Sequence, residues 1–231
     1  MICEAERELG RRLPDAFREL LVSDAWPAFL KEFSNCDHPL EPLQFPPNRW
    51  PAYNSLEHGL LPFMIENQGV CTWAIRLDDA PDPNVVVEID SGSTPGWKPC
   101  GASFSAWLYC QVLDRKVLDS ALFAAQAEPL SAEVLSKLVT VMTERPRTHA
   151  WPARDNIRLH CDLGDVLLWS GEDQCDWWIA PRSSSMAFQL LDTLPLATGF
   201  DGWLYALNDA ARPLLQDWLK ARAHGRSPTM S

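Results

Sequence analysis

Proline interrupts this chain so often that it limits the length of every helix and strand. The sequence has 19 prolines in 231 residues, and each proline fixes its own backbone angle and removes a hydrogen-bond donor. The densest group lies in residues 36–62 and consists of Pro39, Pro42, Pro46, Pro47, Pro51 and Pro62. Aromatic residues stand between these prolines, so we expect an ordered, irregular segment that wraps on the core.

Outside that segment, apolar residues recur at two spacings, which predicts both helices and strands. Residues 71–77 and 85–90 each place an apolar set on one face with the two-residue period of a half-buried strand, and 78–84 is a turn-rich connection. Residues 157–161, 166–170 and 176–180 predict a small strand meander. We expect residues 91–101 (SGSTPGWKPCG) to form a loop. Helical spacing, caps and prolines place helix starts near Ile2, Pro14, Ser103, Ser131, Ser183 and Asp209.

These elements fall into two parts along the chain. The first part contains helices and two strands, and an antiparallel pairing of those strands permits a sheet with one solvated, acidic face. A C-terminal strand meander plus helices follows it. Pro146 and Pro152 mark a connection between the two parts. We therefore expect one domain over residues 1–143 and a C-terminal part over 154–225, either separate or packed into the same domain.

Charge and cysteine content favour a cytoplasmic protein that binds neither nucleic acid nor membrane. The formal net charge is −11, which repels nucleic acid and anionic lipid and attracts basic surfaces. Seven cysteines is an odd number, and none stand in CxxC spacing, so we expect reduced thiols. The first residues lack the basic and apolar regions of a signal peptide. No stretch approaches the ~18 apolar residues of a spanning helix.

Motifs for metal, cofactor or covalent chemistry are not evident in the sequence. His160, Cys161 and Cys175 supply ligand atoms for zinc, but no fourth ligand stands at the usual spacing. There is no GxSxG elbow and no phosphate-binding glycine loop. We therefore predict no metal, no cofactor and no enzyme activity. One exception stays open, because Glu88 and Asp90 point the same way on a strand, ~7 Å apart. Such a pair is a solvated face, a docking patch for a basic partner, or the acid–base pair of a hydrolase.

Two stretches carry a resemblance to a known family. Residues 4–21 contain a short helix that ends in Leu-Gly, then Leu-Pro, an aromatic residue and a leucine pair. Residues 66–75, preceded by Leu-Pro-Phe, contain an acidic-amide-glycine turn that leads into an aromatic-rich strand. In this order they resemble the SUKH superfamily, the Smi/Knr-like cell-wall assembly regulators and bacterial immunity proteins. The residues that carry the resemblance are Leu13, Pro14, Phe17, Glu66, Asn67, Gly69 and Trp73.

The resemblance covers roughly the first half of the chain and departs from the family at one place. Family members commonly have a glycine-rich turn after the first leucine pair, where this chain has residues 22–27 (VSDAWP). The resemblance implies a compact α+β fold, with a mixed or mainly antiparallel sheet flanked by helices, and no catalysis. It also implies recognition of another protein, as in bacterial members that neutralise a toxin from neighbouring cells.

We therefore expect a protein partner, such as a basic toxin domain that the chain caps and neutralises. Two alternatives remain: a regulatory or scaffold module without a toxin partner, and a hydrolase that uses the acidic pair. The expected partner-binding surface combines an acidic face with a tryptophan anchor in the loop after it. Its residues are Asp78, Asp79, Asp82, Glu88, Asp90 and Trp97.

Overall fold

The chain folds into two compact units that are interleaved in sequence. The computed structural model describes residues 2–23, 59–65, 71–89, 96–150, 154–194 and 203–223. Unit 1 comprises Met1–Val112 and Thr148–Ala153, and unit 2 comprises Leu113–Arg147 and Arg154–Ser231. Helices and antiparallel sheets occur in both units, which confirms the predicted α+β class.

Unit 1 contains a four-stranded antiparallel sheet with the order β1-β2-β3-β4. Its strands are β1 (Leu60–Ile65), β2 (Cys71–Arg76), β3 (Asn84–Ile89) and β4 (Gly96–Ser103), and a short β7 (Thr148–Ala150) lies beside β4. Its helices are α1 (Ile2–Leu9), α2 (Asp15–Val22) and the first part of α3 (Phe104–Ser120). The predicted helices near Ile2 and Pro14 and the strands near 71–77 and 85–90 are confirmed.

Aromatic rings packed edge to face fill the core of unit 1. Phe17 of α2, Phe63 of β1 and Phe104 of α3 are fully buried. The Phe17 and Phe104 ring centroids lie 5.2 Å apart at 71°, and those of Phe63 and Phe104 lie 5.3 Å apart at 86°. Trp107 packs on Phe63 at 5.1 Å. This geometry suits the ring quadrupole and adds stability beyond the buried area.

Two strands of unit 1 differ from the sequence prediction. Gly96–Ser103 forms β4 rather than the predicted loop, because its backbone pairs with β3. Its two glycines and one proline hide the alternation that marks a strand. Pro62, which the proline pattern assigns to the irregular segment, lies in β1, next to a register shift at an edge of the sheet. Sheet edges and bulges tolerate proline because no ladder hydrogen bond is lost there.

The prediction that β3 has one solvated face is wrong in its described part. Val85 packs into the aromatic core, and Val86, on the other face, is also buried, together with Leu60 and Ala74. Glu88 follows on that second face and is only 9% exposed. Both faces of this strand are therefore covered at these positions.

Unit 2 contains an antiparallel sheet whose strands follow the order β11-β5-β10-β9-β8-β6. The strands are β5 (Phe123–Ala127), β6 (Thr143–Glu144), β8 (Arg154–Cys161), β9 (Gly164–Ser170), β10 (Cys175–Pro181) and β11 (Trp203–Ala206). The helices are the rest of α3, α4 (Ala132–Val141), α5 (Ala187–Thr193) after a 3-10 turn (Ser184–Met186), and α6 (Ala211–Ala223). The predicted meander β8-β9-β10 is confirmed.

The observed division differs from the predicted one at residues 113–143. Phe123–Ala127, which lies within the predicted first domain, is a strand that pairs with β10 on one side and β11 on the other. Residues on β5 therefore form hydrogen bonds with strands far along the chain. That pairing assigns the segment before the Pro146 connection to unit 2.

The two faces of the unit 2 sheet are covered differently. One face carries Ile157, Val166 and Trp177, which pack with residues from α4, α5 and α6. On the other face Val117 of α3 packs on Leu167 and Ala180.

A buried ion pair joins α3 to β8 on that second face. Both oxygens of Asp114 accept hydrogen bonds from Arg158, at 2.6 Å each. Arg158 also donates to the Pro146 carbonyl at 2.9 Å, and Asn156 donates to Asp114 at 3.3 Å. Burial raises the pKa of Asp114, against the lowering effect of the Arg158 charge and these hydrogen bonds.

Candidate functional site

The turn between α1 and α2 is held in a fixed shape by one carboxylate. Gly10 ends α1 with a φ of +65°, which is unfavourable for residues with a side chain. Glu6 of α1 then accepts a hydrogen bond from the backbone of Leu13 at 2.9 Å and one from the side chain of Arg18. The hydrogen bond from Arg18 is the main reason that the pKa of Glu6 lies below its ordinary value. The Leu-Pro turn is thus tied to both helices.

The loop between β2 and β3 packs against this turn. The backbone N–H of Ala16 donates to the Pro81 carbonyl at 2.9 Å. The Arg11 guanidinium reaches the Asp79 carboxylate at 3.1 Å. Two segments of the chain far apart in sequence therefore form one surface.

A pocket of about 250 Å³ lies between the turn and the loop, and we call it the Leu-Pro pocket. It is lined by Arg11, Arg12, Leu13, Pro14, Asp15, Leu77, Asp78, Asp79, Ala80 and Pro81. Five of these ten residues are charged: two arginines and three aspartates. Ligand pockets are usually roughly 300–1,000 Å³ and mainly apolar. The Leu-Pro pocket is therefore slightly smaller and more polar than a usual small-molecule site.

The charged groups of the Leu-Pro pocket are accessible to solvent. Asp79 is fully exposed although Arg11 contacts it, and Arg12 is 70% exposed beside Asp15, at 2.7 Å. Exposed pairs of this kind contribute little stability. Displacement of either arginine from its aspartate by another cation therefore costs little free energy.

Two of the predicted partner-binding residues, Asp78 and Asp79, lie at this pocket with the predicted Leu-Pro motif. The presence of Arg11, Arg12 and Asp15 at the same site was not predicted. Their charge next to a Leu-Pro turn was a usable signal, but only the fold shows that the β2–β3 loop meets them.

Asp82 lies in the same loop but is engaged in holding a helix. It accepts hydrogen bonds from the backbone N–H of Ser105 at 2.9 Å and from the Ser105 hydroxyl. Burial opposes ionisation of Asp82. The hydrogen bonds from Ser105, and those from Ser103 and Phe104, nevertheless keep its pKa below the ordinary value. Asp82 therefore caps the start of α3 from a distant loop.

The other predicted partner-binding residues do not join the pocket in the described structure. Glu88 is buried on β3, directly opposite Trp97 of β4. Trp97 is half-buried and packs against Leu60, Ala74 and Val86, so it lies in a strand rather than in an exposed loop. Asp90 lies outside the described residues.

The residues that carry the family resemblance have structural positions where they are described. Leu13 and Phe17 are buried in the core of unit 1, and Pro14 immediately precedes α2. Trp73 is half-buried, with its ring 6.4 Å from that of Trp107. Glu66, Asn67 and Gly69 lie outside the described residues.

The three candidate zinc ligands do not converge. Cys175 is buried in the core on one face of the unit 2 sheet, and Cys161 packs against it, whereas His160 lies on the opposite face. In the part of the chain that the structure describes, no group of three potential metal ligands is found. Within the same ranges, no helix has the length and apolar character needed to cross a membrane.

Comparisons with protein-family models, with curated proteins and with solved structures found no match. The SUKH resemblance therefore rests on the motifs of the sequence.

Proposed function

We propose that this chain is a non-enzymatic, protein-binding protein of the immunity type, which neutralises a cognate toxin by capping a basic surface of it. The observation that carries this proposal is the Leu-Pro pocket, where the family-like Leu13-Pro14 turn meets exposed Asp78 and Asp79. The proposal combines that geometry with the SUKH resemblance and a net charge of −11.

Electrostatics explains how such a surface would work. A strongly acidic protein attracts a basic partner from a distance, which raises the rate of association. At contact, a lysine or arginine of the partner enters the pocket and pairs with Asp78 or Asp79. Arg11 and Arg12 then limit the choice of partner, because a second cation placed near them is repelled.

The rigid frame around the pocket supports this role. Glu6 fixes the turn, the Ala16–Pro81 hydrogen bond fixes the loop, and Asp82 anchors the loop to α3. A preformed surface loses less conformational entropy on binding, so more of the contact energy appears as affinity.

The first experiment is affinity capture from the native cell with the double variant Asp78→Lys/Asp79→Lys. We expect the wild-type chain to recover a basic, toxin-like protein and the variant to recover at least about tenfold less, because charge reversal at the rim slows association. Glu172→Lys/Asp173→Lys is the matched control. These two acids are exposed in the β9–β10 turn, and the change in net charge is the same.

The second experiment tests neutralisation. Co-expression of the captured partner with the wild-type chain should restore growth, whereas co-expression with the Asp78/Asp79 variant should not. Capture of no basic partner would contradict the proposal. Equal capture by both double variants would refute the role of the pocket.

A further inference from the structure

A cluster of titratable side chains in unit 2 has no part in the Leu-Pro pocket. His160 of β8 and Asp165 of β9 are directly opposite each other in the antiparallel register. Arg182 follows the end of β10, and Lys116 extends from α3. We call these four residues the His160 cluster.

The hydrogen bonds of the His160 cluster define the state of the histidine. Its Nδ1 lies 2.5 Å from Asp165 Oδ1, and its Nε2 lies 3.3 Å from Arg182 Nη2. A guanidinium only donates, so Nε2 accepts from Arg182 and the proton on Nδ1 is donated to Asp165. Lys116 Nζ lies 3.5 Å from the other oxygen of Asp165.

The backbone beneath the cluster is closely packed. The N–H of Arg182 donates to the Leu163 carbonyl at 2.9 Å, which ties the end of β10 to the β8–β9 turn. A Cβ on Gly164 would overlap the Ala180 carbonyl oxygen and lie 2.9 Å from the Pro181 Cα. The strands approach so closely here that only glycine fits, and this contact fixes the spacing between His160, Asp165 and Arg182.

The cluster has an excess of positive charge in an acidic protein. Two cations, Lys116 and Arg182, lie beside a single carboxylate, that of Asp165. His160 and Asp165 are 26% and 23% exposed, whereas Lys116 is 66% exposed and Arg182 is also exposed. Among the described residues, the Arg182 side chain has one hydrogen-bond partner, His160. An arginine has five N–H donors, so most of them point to solvent or to a ligand.

We propose that the His160 cluster binds a small phosphate anion, either free or as the monoester of a small molecule. The anion would take the place of His160 Nε2 as the acceptor for Arg182, and the Lys116 ammonium would supply a second charge-assisted contact. The His160 ring, which Asp165 holds through Nδ1, would line the same side of the site.

The net charge of the protein favours a small anion over a polyanion as the ligand of this cluster. A net charge of −11 repels a polyanion such as nucleic acid at long range. A single phosphate fits within the cluster, so its charge interacts mainly with the nearby cations Lys116 and Arg182. Steric access is open on the side of Lys116 and Arg182, so a monoester can extend into solvent from there.

The test is a side-chain ¹⁵N NMR titration of the full chain with two probes, inorganic phosphate and glycerol 2-phosphate. We expect saturable movement of the His160 Nε2 signal with at least one probe. Stronger binding of the ester would identify a monoester as the ligand, and stronger binding of inorganic phosphate would identify the free anion.

Variants separate this site from nonspecific anion binding. Arg182→Gln should weaken binding about tenfold, the effect of losing one charge-assisted hydrogen bond, and Arg182→Lys should keep part of it. Arg212→Gln is the control, since Arg212 is an exposed arginine paired with Asp209 in the same unit. Thermal unfolding confirms that each variant is folded. The absence of a saturable shift with either probe, or equal binding by Arg182→Gln and wild type, would overturn the proposal.

Discussion

Asp114 and Arg158 show how much a single buried side chain depends on its partner. The Asp114 side chain is 11% exposed and the Arg158 side chain 3% exposed, and the guanidinium donates hydrogen bonds to both carboxylate oxygens. Taking two charges out of water is unfavourable, and the pair offsets this only while both members are present. This pair could not be predicted from the sequence, because the two residues are separated by 44 positions and neither stands in a motif.

Removal of one member should therefore be far more damaging than removal of both. We expect Asp114→Ala to lower the free energy of unfolding by about 3–5 kcal/mol, because Arg158 is left buried without its main counter-charge. The double variant Asp114→Leu/Arg158→Met should recover most of that loss. Urea denaturation measures both.

Asp119→Ala on the same helix is the control for the Asp114 variants. Asp119 forms an exposed pair with Arg115, so its loss should change stability by less than about 0.5 kcal/mol. A similar loss in Asp114→Ala and Asp119→Ala would contradict the assignment of a buried, interdependent pair.

Among the helices and strands, α3 begins with help from a loop distant in sequence. Ser103 is the local cap that the sequence predicts, yet the backbone N–H of Ser105 donates to Asp82. A carboxylate near the first turn of a helix also interacts favourably with the helix dipole. Local caps can be recognised from sequence, as Ser131 before α4 shows by accepting a hydrogen bond from Val134 N–H. A cap supplied across 23 residues cannot.

The Asp82 cap should make part of the stability depend on pH. The folded pKa of Asp82 lies below its ordinary value, so its contribution is present above the unfolded pKa and is lost as pH falls through the folded one. We expect Asp82→Ala to lower the free energy of unfolding by about 1 kcal/mol at neutral pH. The difference from wild type should shrink below about pH 4, as measured by urea denaturation across pH.

A control for the Asp82 variant lies in the same loop. Asp78→Ala, at an exposed position, should change stability by no more than about 0.5 kcal/mol at any of these pH values. A constant Asp82→Ala effect from neutral to acid pH would show that the carboxylate charge has no part in the cap.

Elements with a clear period were predictable, and those whose pairing is nonlocal were not. The α1, α2, β2 and β3 elements and the β8–β10 meander follow their apolar spacing. Strand β5, in contrast, has the sequence Phe-Ala-Ala-Gln-Ala, and alanine favours helices. It is a strand because β10 and β11 supply hydrogen bonds on both sides. The Leu-Pro pocket was predictable only in part for the same reason. Some of its residues were recognised in the sequence, but the contact between the Leu-Pro turn and the β2–β3 loop depends on the fold.

For the chain in its entirety, the interleaving of the units predicts the behaviour of a nicked protein. Residues 113–147 and 154–223 belong to one unit, with β5 hydrogen-bonded to β10 and Arg158 bonded to Asp114. A protease site inserted between residues 150 and 154 should therefore yield two fragments that remain bound. Size-exclusion chromatography should show the intact mass, whereas a denaturing gel should show two bands.

Cleavage between two domains that follow each other in sequence, without interleaving, should give a different result. In a chain of two sequential domains, cleavage of the connection releases two separate species. Separation of the fragments under native conditions would contradict the division of the chain into interleaved units.

Interleaving also affects synthesis on the ribosome. Unit 1 gains its last described strand, β7, only when Thr148–Ala150 has emerged, by which time the first strand of unit 2 is already outside the exit tunnel. Gln126 of β5 pairs with Asp176 of β10, which is synthesised 50 residues later. Strand β5 therefore leaves the tunnel before the strand that pairs with it. During that interval β5 presents two open edges, so the nascent chain is a natural client for a chaperone that shields unpaired strands.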